Sequence, residues 1–368
     1  MALASLPIDA LGRNRMTVAT APGKLVIFGD YAVLEGAPAV ATSVDVRAHA
    51  QVDVTDGRNS VFIDLAGGKA YDFFVEPGAE LVWTTESPGD RGTIVAAVLD
   101  TCHELAHLRG PLPALRISLN TRAFFTRSNG RTEKLGLGSS AAVLVALTGA
   151  LIDALHIPVE PDSLIRICHE AHRRFQGGLG SGIDVATAVL GGVIGVRRDA
   201  ASEYPVSESL AWPDGLLMSA VWSGSSASTP ELLTRFNAYR DNHADEFRNH
   251  LLHLGRFAEQ ADAAWRDGRV AKLLSALTGY DNALRALDYD AEIGINTEVH
   301  ESLRGMTEKH GAVYKTSGAG GGDFGIVLTN SQDVLEEVAA EIDSAGFRLL
   351  DAKLNAAGLS IAPDAGRP

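Results

Sequence analysis

The chain has 368 residues, of which 46% are hydrophobic and 21% charged, and its formal net charge is −14. This length is sufficient for two domains with a large buried core. The acidic charge argues against a nucleic-acid-binding protein, because contact with a phosphate backbone requires clustered basic residues. Cys102 and Cys168 are the only cysteines, so we expect no disulfide framework and a reduced, cytoplasmic setting. Neither an apolar run of about 18 residues nor a signal-peptide pattern occurs, and no association with a membrane is expected.

Apolar periodicity predicts the following elements in chain order. Residues 1–15 are expected to be poorly ordered. Strands are expected at Leu25–Phe28, Ala39–Val44, Val46–Val54, in short pieces of 60–76, and at Leu115–Leu119, Val193–Val196 and Leu216–Trp222. Helices are expected at 91–108, 139–155, 164–175, 184–190 and between about 230 and 310, with a polar loop at 126–133 and a strand–helix–strand unit at 324–361. Weak periodicity near 199–215 divides the chain into an N-terminal domain (1–205) and a C-terminal domain (206–368).

A turn rich in glycine and serine, Glu133–Ala142, leads directly into the apolar segment Val143–Leu155. The first amides of a helix lack intrahelical partners and carry a partial positive charge, so such a turn can hold an anion such as a polyphosphate. An ordinary serine N-cap is the alternative. The turn matches neither the G-x-x-x-x-G-K-[ST] phosphate loop nor a dinucleotide fingerprint. The candidate ATP- and phosphate-binding residues are Lys134, Gly136, Leu137, Gly138, Ser139, Ser140 and Ala141.

Two further segments also contain glycines at expected turns. In Thr20–Gly36, Lys24 follows a Pro-Gly turn and precedes a short apolar strand. A lysine beside a buried strand is costly unless it has an anionic partner, although a surface lysine at a strand edge is the alternative. Lys315–Gly325 contains a run of glycines directly before a strand-like segment. The run indicates a sharply bent backbone. A flexible linker is the alternative, but a linker would not lead straight into a strand.

In this order, the three segments resemble the GHMP kinases, the family of galactokinase, homoserine kinase and mevalonate kinase. The resemblance extends from about Val18 to Leu354, through Ala21–Leu25, Gly136–Ala142 and Ser317–Asp323. Two other stretches, Ala171–Ala186 and Ser223–Thr229, are similar to those of the phosphomevalonate kinase group of the family. Two positions depart from the usual pattern: Asp30 where glutamate is usual, and Phe324 where that group usually has cysteine.

The resemblance implies an α+β, two-domain GHMP kinase fold, with an S5-like N-terminal domain, a ferredoxin-like C-terminal domain and the active site between them. It also implies ATP-dependent phosphoryl transfer, with Mg²⁺, to a phosphorylated small molecule, 5-phosphomevalonate. Mevalonate kinase or another small-molecule kinase of the family is the alternative. A decarboxylase and a non-catalytic nucleotide sensor are more distant alternatives. The sequence leaves open whether the protein is a monomer or a homodimer.

The resemblance also assigns the catalytic residues. Position alone favours Asp184 as a helix-capping aspartate, but the family pattern makes it the carboxylate that accepts the proton of the attacking oxygen. Lys24 would stabilise Asp184 or the transferring phosphoryl group. An aspartate paired with a lysine has a low pKa and is a weak base, so positioning and charge neutralisation would supply most of the acceleration.

Metal and acceptor residues are less closely defined by the pattern. Ser139 and Glu170 are candidate Mg²⁺ ligands, and the neighbouring Cys168, His169 and His172 do not form the H-E-x-x-H zinc motif. Arg197 is a candidate cation for the acceptor phosphate, with a solvated surface arginine as an equal alternative. The other candidate substrate-binding residues lie in family-like segments: Tyr31, Ser181, Gly182, Ser226, Gly318, Ala319 and Gly320.

Overall fold

The computed structural model describes residues 16–63, 68–75, 81–105, 112–128, 130–177, 180–198 and 204–363. In chain order the strands are β1 (Met16–Phe28), β2 (Ala39–Thr55), β3 (Ser60–Ile63), β4 (Ala70–Val75), β5 (Leu81–Trp83), β6 (Ala114–Asn120), β7 (Phe125–Ser128), β8 (Arg131–Lys134), β9 (Val193–Arg197), β10 (Val206–Leu210), β11 (Leu217–Trp222), β12 (Val313–Thr316), β13 (Phe324–Thr329), β14 (Arg348–Leu349) and β15 (Ser360–Pro363). The helices are α1 (Asp90–Leu105), α2 (Ser139–Ala154), α3 (Pro161–Phe175), α4 (Ile183–Leu190), α5 (Thr229–Asn242), α6 (Ala244–Arg266), α7 (Val270–Ala291), α8 (Glu298–Glu308) and α9 (Gln332–Ser344). The expected α+β class is confirmed.

The larger sheet has nine strands and is built around β2. β2 pairs antiparallel with β1, β6 and β9, and β1 also pairs with the C-terminal strand β15. Two separate strands were expected in this part of the chain, but they form one continuous strand of 17 residues. The alternating burial of its second half reflects one face turned to the core and one toward solvent.

The pairing of β1 with β2 shifts register between Pro22 and Gly23. Such a bulge bends the strand and re-aims the side chains that follow it. A β-carbon on Gly23 would lie 2.8 Å from the carbonyl oxygen of Leu137, so only glycine fits there. The next residue, Lys24, donates its backbone N–H to the same oxygen at 2.9 Å. The bulge therefore joins the first glycine turn to the turn that precedes α2.

Helix α2 forms the centre of the N-terminal core. Nearly every residue from Ala141 to Leu151 is buried, because the helix packs on β1 and β2 and is flanked by α1, α3 and α4. A helix that is apolar on all sides must be covered on all sides, as this one is. Its amino end, at Ser139, is thereby held beside Gly23 and Lys24 of β1, against which the preceding Leu137 packs.

The C-terminal part has a four-stranded sheet of order β12-β13-β11-β14, which helices α7, α8 and α9 contact, while α5 and α6 pack on α7. Strand β10 pairs with β9 in the larger sheet, and β15 returns to pair with β1. The division into domains at residue 205 stays a prediction, and two strands that follow it in the chain pair with the larger sheet. The expected loop at 126–133 is also corrected: β7 and β8 form a two-stranded hairpin whose turn includes Gly130 at φ 76°.

Some expectations lie outside the described residues, namely disorder at 1–15 and the last turn of the first predicted helix at 106–108. Within the described ranges, none of the helices combines the length and the apolar character that a membrane-crossing segment requires.

Candidate active site

The three glycine turns meet around the side chain of Lys24. A β-carbon on Gly138, in the second turn, would lie 3.3 Å from Cγ of Lys24 and 3.8 Å from Cβ of Asp184. A β-carbon on Gly318, in the third turn, would lie 3.4 Å from Nζ of Lys24. The lysine stem and the aspartate thus share the space beside the turn at the start of α2.

The second turn presents the amino end of α2. Gly136 and Gly138 have φ angles of 73° and 77°, which favour glycine, and Leu137 between them is buried. Gly138 is the N-cap and supplies no side-chain hydrogen bond to the first turn. Ser139 and Ser140 follow inside the helix, so they do not act as the N-cap that the alternative interpretation required. The first-turn amides and two hydroxyl groups remain as donors for an anion.

Asp323, at the end of the third turn, supports the second turn. A β-carbon on Gly136 would lie 2.0 Å from Cγ of Asp323, so this carboxylate packs directly on the glycine. Its Oδ1 accepts the backbone N–H of Ala227 at 3.1 Å. Burial raises the pKa of Asp323, against the opposing effects of that N–H, Lys24 and Lys134. The sequence places Asp323 in a motif but assigns it no function, because its contact with Gly136 is purely tertiary.

A buried ion pair holds the third turn against the first. Asp30 Oδ2 lies 2.6 Å from Nζ of Lys315, and both side chains are almost fully buried. Asp30 Oδ1 accepts the backbone N–H of Gly318 at 2.7 Å. Tyr31 donates its hydroxyl to the carbonyl oxygen of Ala319 at 2.6 Å. The predicted residues Tyr31, Gly318 and Ala319 therefore come together. Asp30, at the position where glutamate is usual, still accepts a hydrogen bond from the third turn.

Asp184 lies in the first turn of α4. Gly182 is the N-cap of that helix, so Asp184 does not fill the capping position. Its Oδ1 accepts the backbone N–H of Val185 at 3.0 Å, and its Oδ2 lies 3.7 Å from Nε2 of His172. Burial by itself raises the pKa of Asp184, but His172, Lys24 and the Val185 N–H outweigh it, and the pKa is lowered. The carboxylate is therefore ionised at neutral pH.

Comparisons with known proteins agree with this geometry. The family model described as GHMP kinases N terminal domain matches residues 94–192. A phosphomevalonate kinase of Streptomyces sp. (strain CL190) is 30% identical over 357 residues, covering 87% of this chain and 91% of the relative. The chain belongs to the GHMP kinase family.

Other GHMP kinases are similar over nearly the whole chain. A mevalonate kinase of Thermococcus sibiricus is 24% identical over 353 residues, covering 94% of this chain and 98% of the relative. The solved structure of Streptococcus pneumoniae phosphomevalonate kinase, in complex with phosphomevalonate and AMPPNP, has a TM-score of 0.73 at 18% identity. It covers 92% of this chain and 99% of its own, and at that identity it shows a shared fold.

In this GHMP kinase, two further cations lie near the glycine turns. Lys134 is exposed at the protein surface, yet the protein atoms crowded around its ammonium lower its pKa, and Asp323, Lys24, Asp184 and Arg91 all lie within electrostatic range. Burial also lowers the pKa of the half-buried Arg91, near the start of α1. Sequence reasoning identified Lys134 from its motif. It missed Arg91, which no motif marks.

Two predicted residues are not brought into this site. The carboxylate of Glu170 accepts hydrogen bonds from Arg173 and Arg174 at 2.7–2.8 Å, so both its oxygens are engaged. Arg197 forms a bidentate ion pair with Glu259 at 2.8 and 2.9 Å. It lines a cavity of about 410 Å³, and the predicted site residues of the three glycine turns do not line this cavity. In the structure Glu170 is therefore paired within its own helix, and Arg197 lies on a separate surface, so their functions as a metal ligand and an acceptor cation stay predictions.

The remaining predicted residues have mainly structural contacts. Ser226 Oγ donates to Glu133 Oε2 at 3.2 Å, which connects the C-terminal part to the β7–β8 hairpin. Ser181 precedes α4, and its Oγ accepts weakly from the Ile183 N–H at 3.5 Å. Gly182 packs on His169, and Gly320 packs on Ile295, where a β-carbon would lie 2.5 Å from Cγ2. These contacts shape the turns around the site.

Proposed function

We propose that the protein transfers the γ-phosphoryl group of ATP to 5-phosphomevalonate, giving 5-diphosphomevalonate and ADP. The observation that carries the proposal is the position of Lys24, against Gly138 and Gly318 and beside Asp184. A triphosphate on the amides of α2 would have its terminal phosphorus near this lysine. Phosphoryl transfer needs mainly positioning and neutralisation of charge on the equatorial oxygens, which a lysine and helix amides supply.

The protonation state of Asp184 is consistent with a phosphorylated acceptor. The second pKa of a phosphate monoester is about 6, so its attacking oxygen is already ionised at neutral pH. A carboxylate of lowered pKa is a poor base for an alcohol. It is sufficient to orient a phosphate acceptor, because the attacking oxygen is already mostly deprotonated. Lys134 and Arg91 would offset the negative charge that such an acceptor adds.

Magnesium is expected to enter with the nucleotide. The described residues contain no cluster of three or more His, Cys, Asp or Glu side chains suited to a metal ion. Ser139, buried at the amino end of α2, is one oxygen donor beside the phosphate-binding amides. This donor set fits Mg²⁺, which keeps several waters and binds largely through substrate phosphates. When bound, the ion would neutralise charge on the triphosphate.

Coupled ADP release with 5-phosphomevalonate, mevalonate and homoserine in parallel tests the substrate. We expect turnover of 5-phosphomevalonate with a kcat/KM at least about 100-fold above that for mevalonate, since a site built for an ionic group rejects analogues that lack it. Mevalonate kinase is the second candidate, because relatives of that name match 94% of the chain. Turnover of mevalonate but not of its phosphate would replace the proposal with this one.

The chemistry is tested by Lys24→Met and Asp184→Asn. Each change removes one charge at the reacting group, and we expect kcat to fall by about 10²–10⁴-fold with smaller changes in the KM for ATP. Matched controls are Lys309→Met and Asp245→Asn, which remove exposed ion pairs with Glu341 and Arg248. The controls should keep activity within about twofold. Full activity in either site variant would mean that the reacting group lies elsewhere.

Arg91→Gln and Lys134→Met test whether these cations serve the acceptor, although the sequence predicts nucleotide binding for Lys134. We expect each to raise the KM for 5-phosphomevalonate by about tenfold, with little change in the KM for ATP, because a charged hydrogen bond is worth roughly 1.5–3 kcal/mol. Steady-state kinetics at fixed saturating ATP measure the effect. If the KM for ATP rises instead, these cations serve the nucleotide.

A further inference from the structure

Two buried histidines on α3 face the start of α4. His169 and His172 are only 6% and 4% exposed. Their spacing of three residues places them on one side of the helix. Nε2 of each is buried and has no hydrogen-bond partner among the described residues. A buried ring nitrogen without a partner is costly, so both positions need a physical explanation.

His169 has a packing function. A β-carbon on Gly182 would lie 2.7 Å from Cε1 and 2.9 Å from Nδ1 of His169, so the ring presses against the turn that begins α4. Its other face stacks on Tyr204 with a centroid separation of 6.2 Å. Burial lowers the pKa of His169 to about 4, which keeps this ring neutral at neutral pH. His169 therefore braces the turn before Asp184.

His172 is placed differently, because its Nε2 faces the carboxylate itself. The distance from Nε2 to Asp184 Oδ2 is 3.7 Å, slightly beyond a hydrogen bond. The other oxygen, Oδ1, already accepts the Val185 N–H at 3.0 Å. A small rotation about the aspartate χ angles would close the second contact, and contacts of this kind often tighten when substrate binds. With both oxygens held, the carboxylate would have one orientation beside Lys24.

We propose that His172 is a positioning residue that donates its Nε2–H to Asp184 Oδ2 and holds the carboxylate in its reactive orientation. The proposal rests on the proposed phosphoryl transfer, because it assigns a partner to the carboxylate at the reacting end. Asp184 would then be held by His172 of α3, while Lys24 of β1 lies within electrostatic range of the same carboxylate. Orientation matters here because positioning supplies much of the acceleration in phosphoryl transfer.

Two substitutions separate the N–H group from the shape of the ring. His172→Phe keeps a planar ring but removes the donor, whereas His172→Gln keeps an amide N–H at about the same reach. We expect His172→Phe to lower kcat by about 30–100-fold with the KM for ATP unchanged within about twofold, and His172→Gln to recover to within about fivefold of the unmodified protein. Equal losses in both variants, or an unchanged kcat in His172→Phe, would overturn the proposal.

A spectroscopic measurement keeps the test independent of turnover. In protein labelled with ¹⁵N-histidine, the shifts of His172 should report the Nε2–H form, and Asp184→Asn should move the Nε2 resonance while leaving that of His300 in place. His300 is a suitable reference, since its Nε2 bonds to the carbonyl oxygen of Gly322. An Nε2 resonance of His172 that does not respond to Asp184→Asn would contradict the contact. The unmodified protein failing to use 5-phosphomevalonate would instead overturn only the choice of substrate, because the His172 variants can be assayed with whichever acceptor is used.

Discussion

At the scale of single residues, the site depends on glycines that no other residue can replace. Gly136 combines a φ of 73° with direct contact against the Asp323 carboxylate. A side chain there would face both backbone strain and a clash with a buried acid. Position 136 requires glycine because the third turn packs against the second, although the two turns lie almost 200 positions apart along the chain.

Gly136→Ala should therefore damage nucleotide binding. The new β-carbon would displace Asp323 and tilt the amides at the start of α2, and we expect the affinity for a nonhydrolysable ATP analogue to fall at least about tenfold. Isothermal titration calorimetry measures it. Gly255→Ala, in α6 with no atom within 4 Å of the new carbon, is the matched control and should be neutral or slightly stabilising. Equal affinities in the two variants would show that the Asp323 contact is unimportant.

The buried His300 links the pH to the stability of the third turn. Its Nε2 must carry the proton, because it bonds to the carbonyl oxygen of Gly322 at 2.9 Å, and its Nδ1 then accepts from Tyr314 Oη at 2.7 Å. Burial lowers the pKa of His300 from 6.5 to about 4. Between these values the unfolded chain binds a proton that the folded chain does not. The free energy of unfolding therefore falls as the pH falls through this window.

His300→Gln should reduce this pH dependence. The titration of His300 changes the free energy of unfolding by about 3 kcal/mol in full, since each pKa unit corresponds to about 1.4 kcal/mol. Urea unfolding at several pH values from 6.5 down to 4 measures it. We expect the unmodified protein to lose more stability than His300→Gln over this range. Parallel stability curves for the two proteins would show that His300 does not titrate as its burial indicates.

At the scale of elements, the first and third glycine turns are held together by a buried charge pair. Asp30 binds Lys315 on β12 and the Gly318 amide, and Tyr280 on α7 donates its hydroxyl to the Asp30 carbonyl oxygen. Removing one partner of a buried pair leaves an uncompensated charge, whereas removing both can cost little. The pair therefore determines how the two turns are aligned more than it determines total stability.

Lys315→Met should thus be more harmful than the double change Asp30→Asn with Lys315→Met. We expect the single variant to lose about 3–5 kcal/mol of unfolding free energy and the double variant to recover part of it, because the asparagine that replaces Asp30 is neutral and its side-chain oxygen can still accept the Gly318 N–H. Urea denaturation of both single variants and the double variant completes the cycle. Additive losses would mean that the two charges act independently.

At the scale of the whole molecule, the end of the chain completes the N-terminal sheet. Strand β15 pairs with β1, and Leu359 fills the space beside Gly149 of α2, where a β-carbon would lie 2.9 Å from its Cδ2. Ser43 Oγ donates to the carbonyl oxygen of Ala356 at 2.6 Å. The N-terminal part is therefore closed by residues that follow the C-terminal part in the chain, and the two parts should unfold cooperatively.

Removal of residues 355–368 should destabilise the N-terminal part. It exposes the edge of β1 and one side of α2, and we expect the thermal midpoint to fall by at least about 5 °C. Differential scanning calorimetry measures the midpoint, and removal of residues 364–368 alone is the control that keeps β15. If both truncations unfold like the full chain, the C-terminal segment contributes little.

The sequence by itself determined the local features of this protein. Its helices, most of its strands and its three glycine turns follow from apolar period and from residues that only particular backbone conformations accept. The residues Lys24 and Asp184 were selected by the resemblance of their segments to GHMP kinase motifs, because position alone favours a helix-capping function for Asp184. The strands of the β7–β8 hairpin and strand β10 are mostly polar and show no apolar periodicity. Sequence analysis therefore did not predict them.

Only the tertiary structure decided which side chains face one another. Glu170 and Arg197 have the residue type that their predicted functions require, but each is neutralised by a partner on its own helix or on a distant one. Asp323, Arg91 and His172 lie near the site because α1 and α3 pack on α2 and the third turn packs on the turn that precedes α2. Proximity of this kind depends on the three-dimensional packing of distant segments, and local sequence patterns do not encode it.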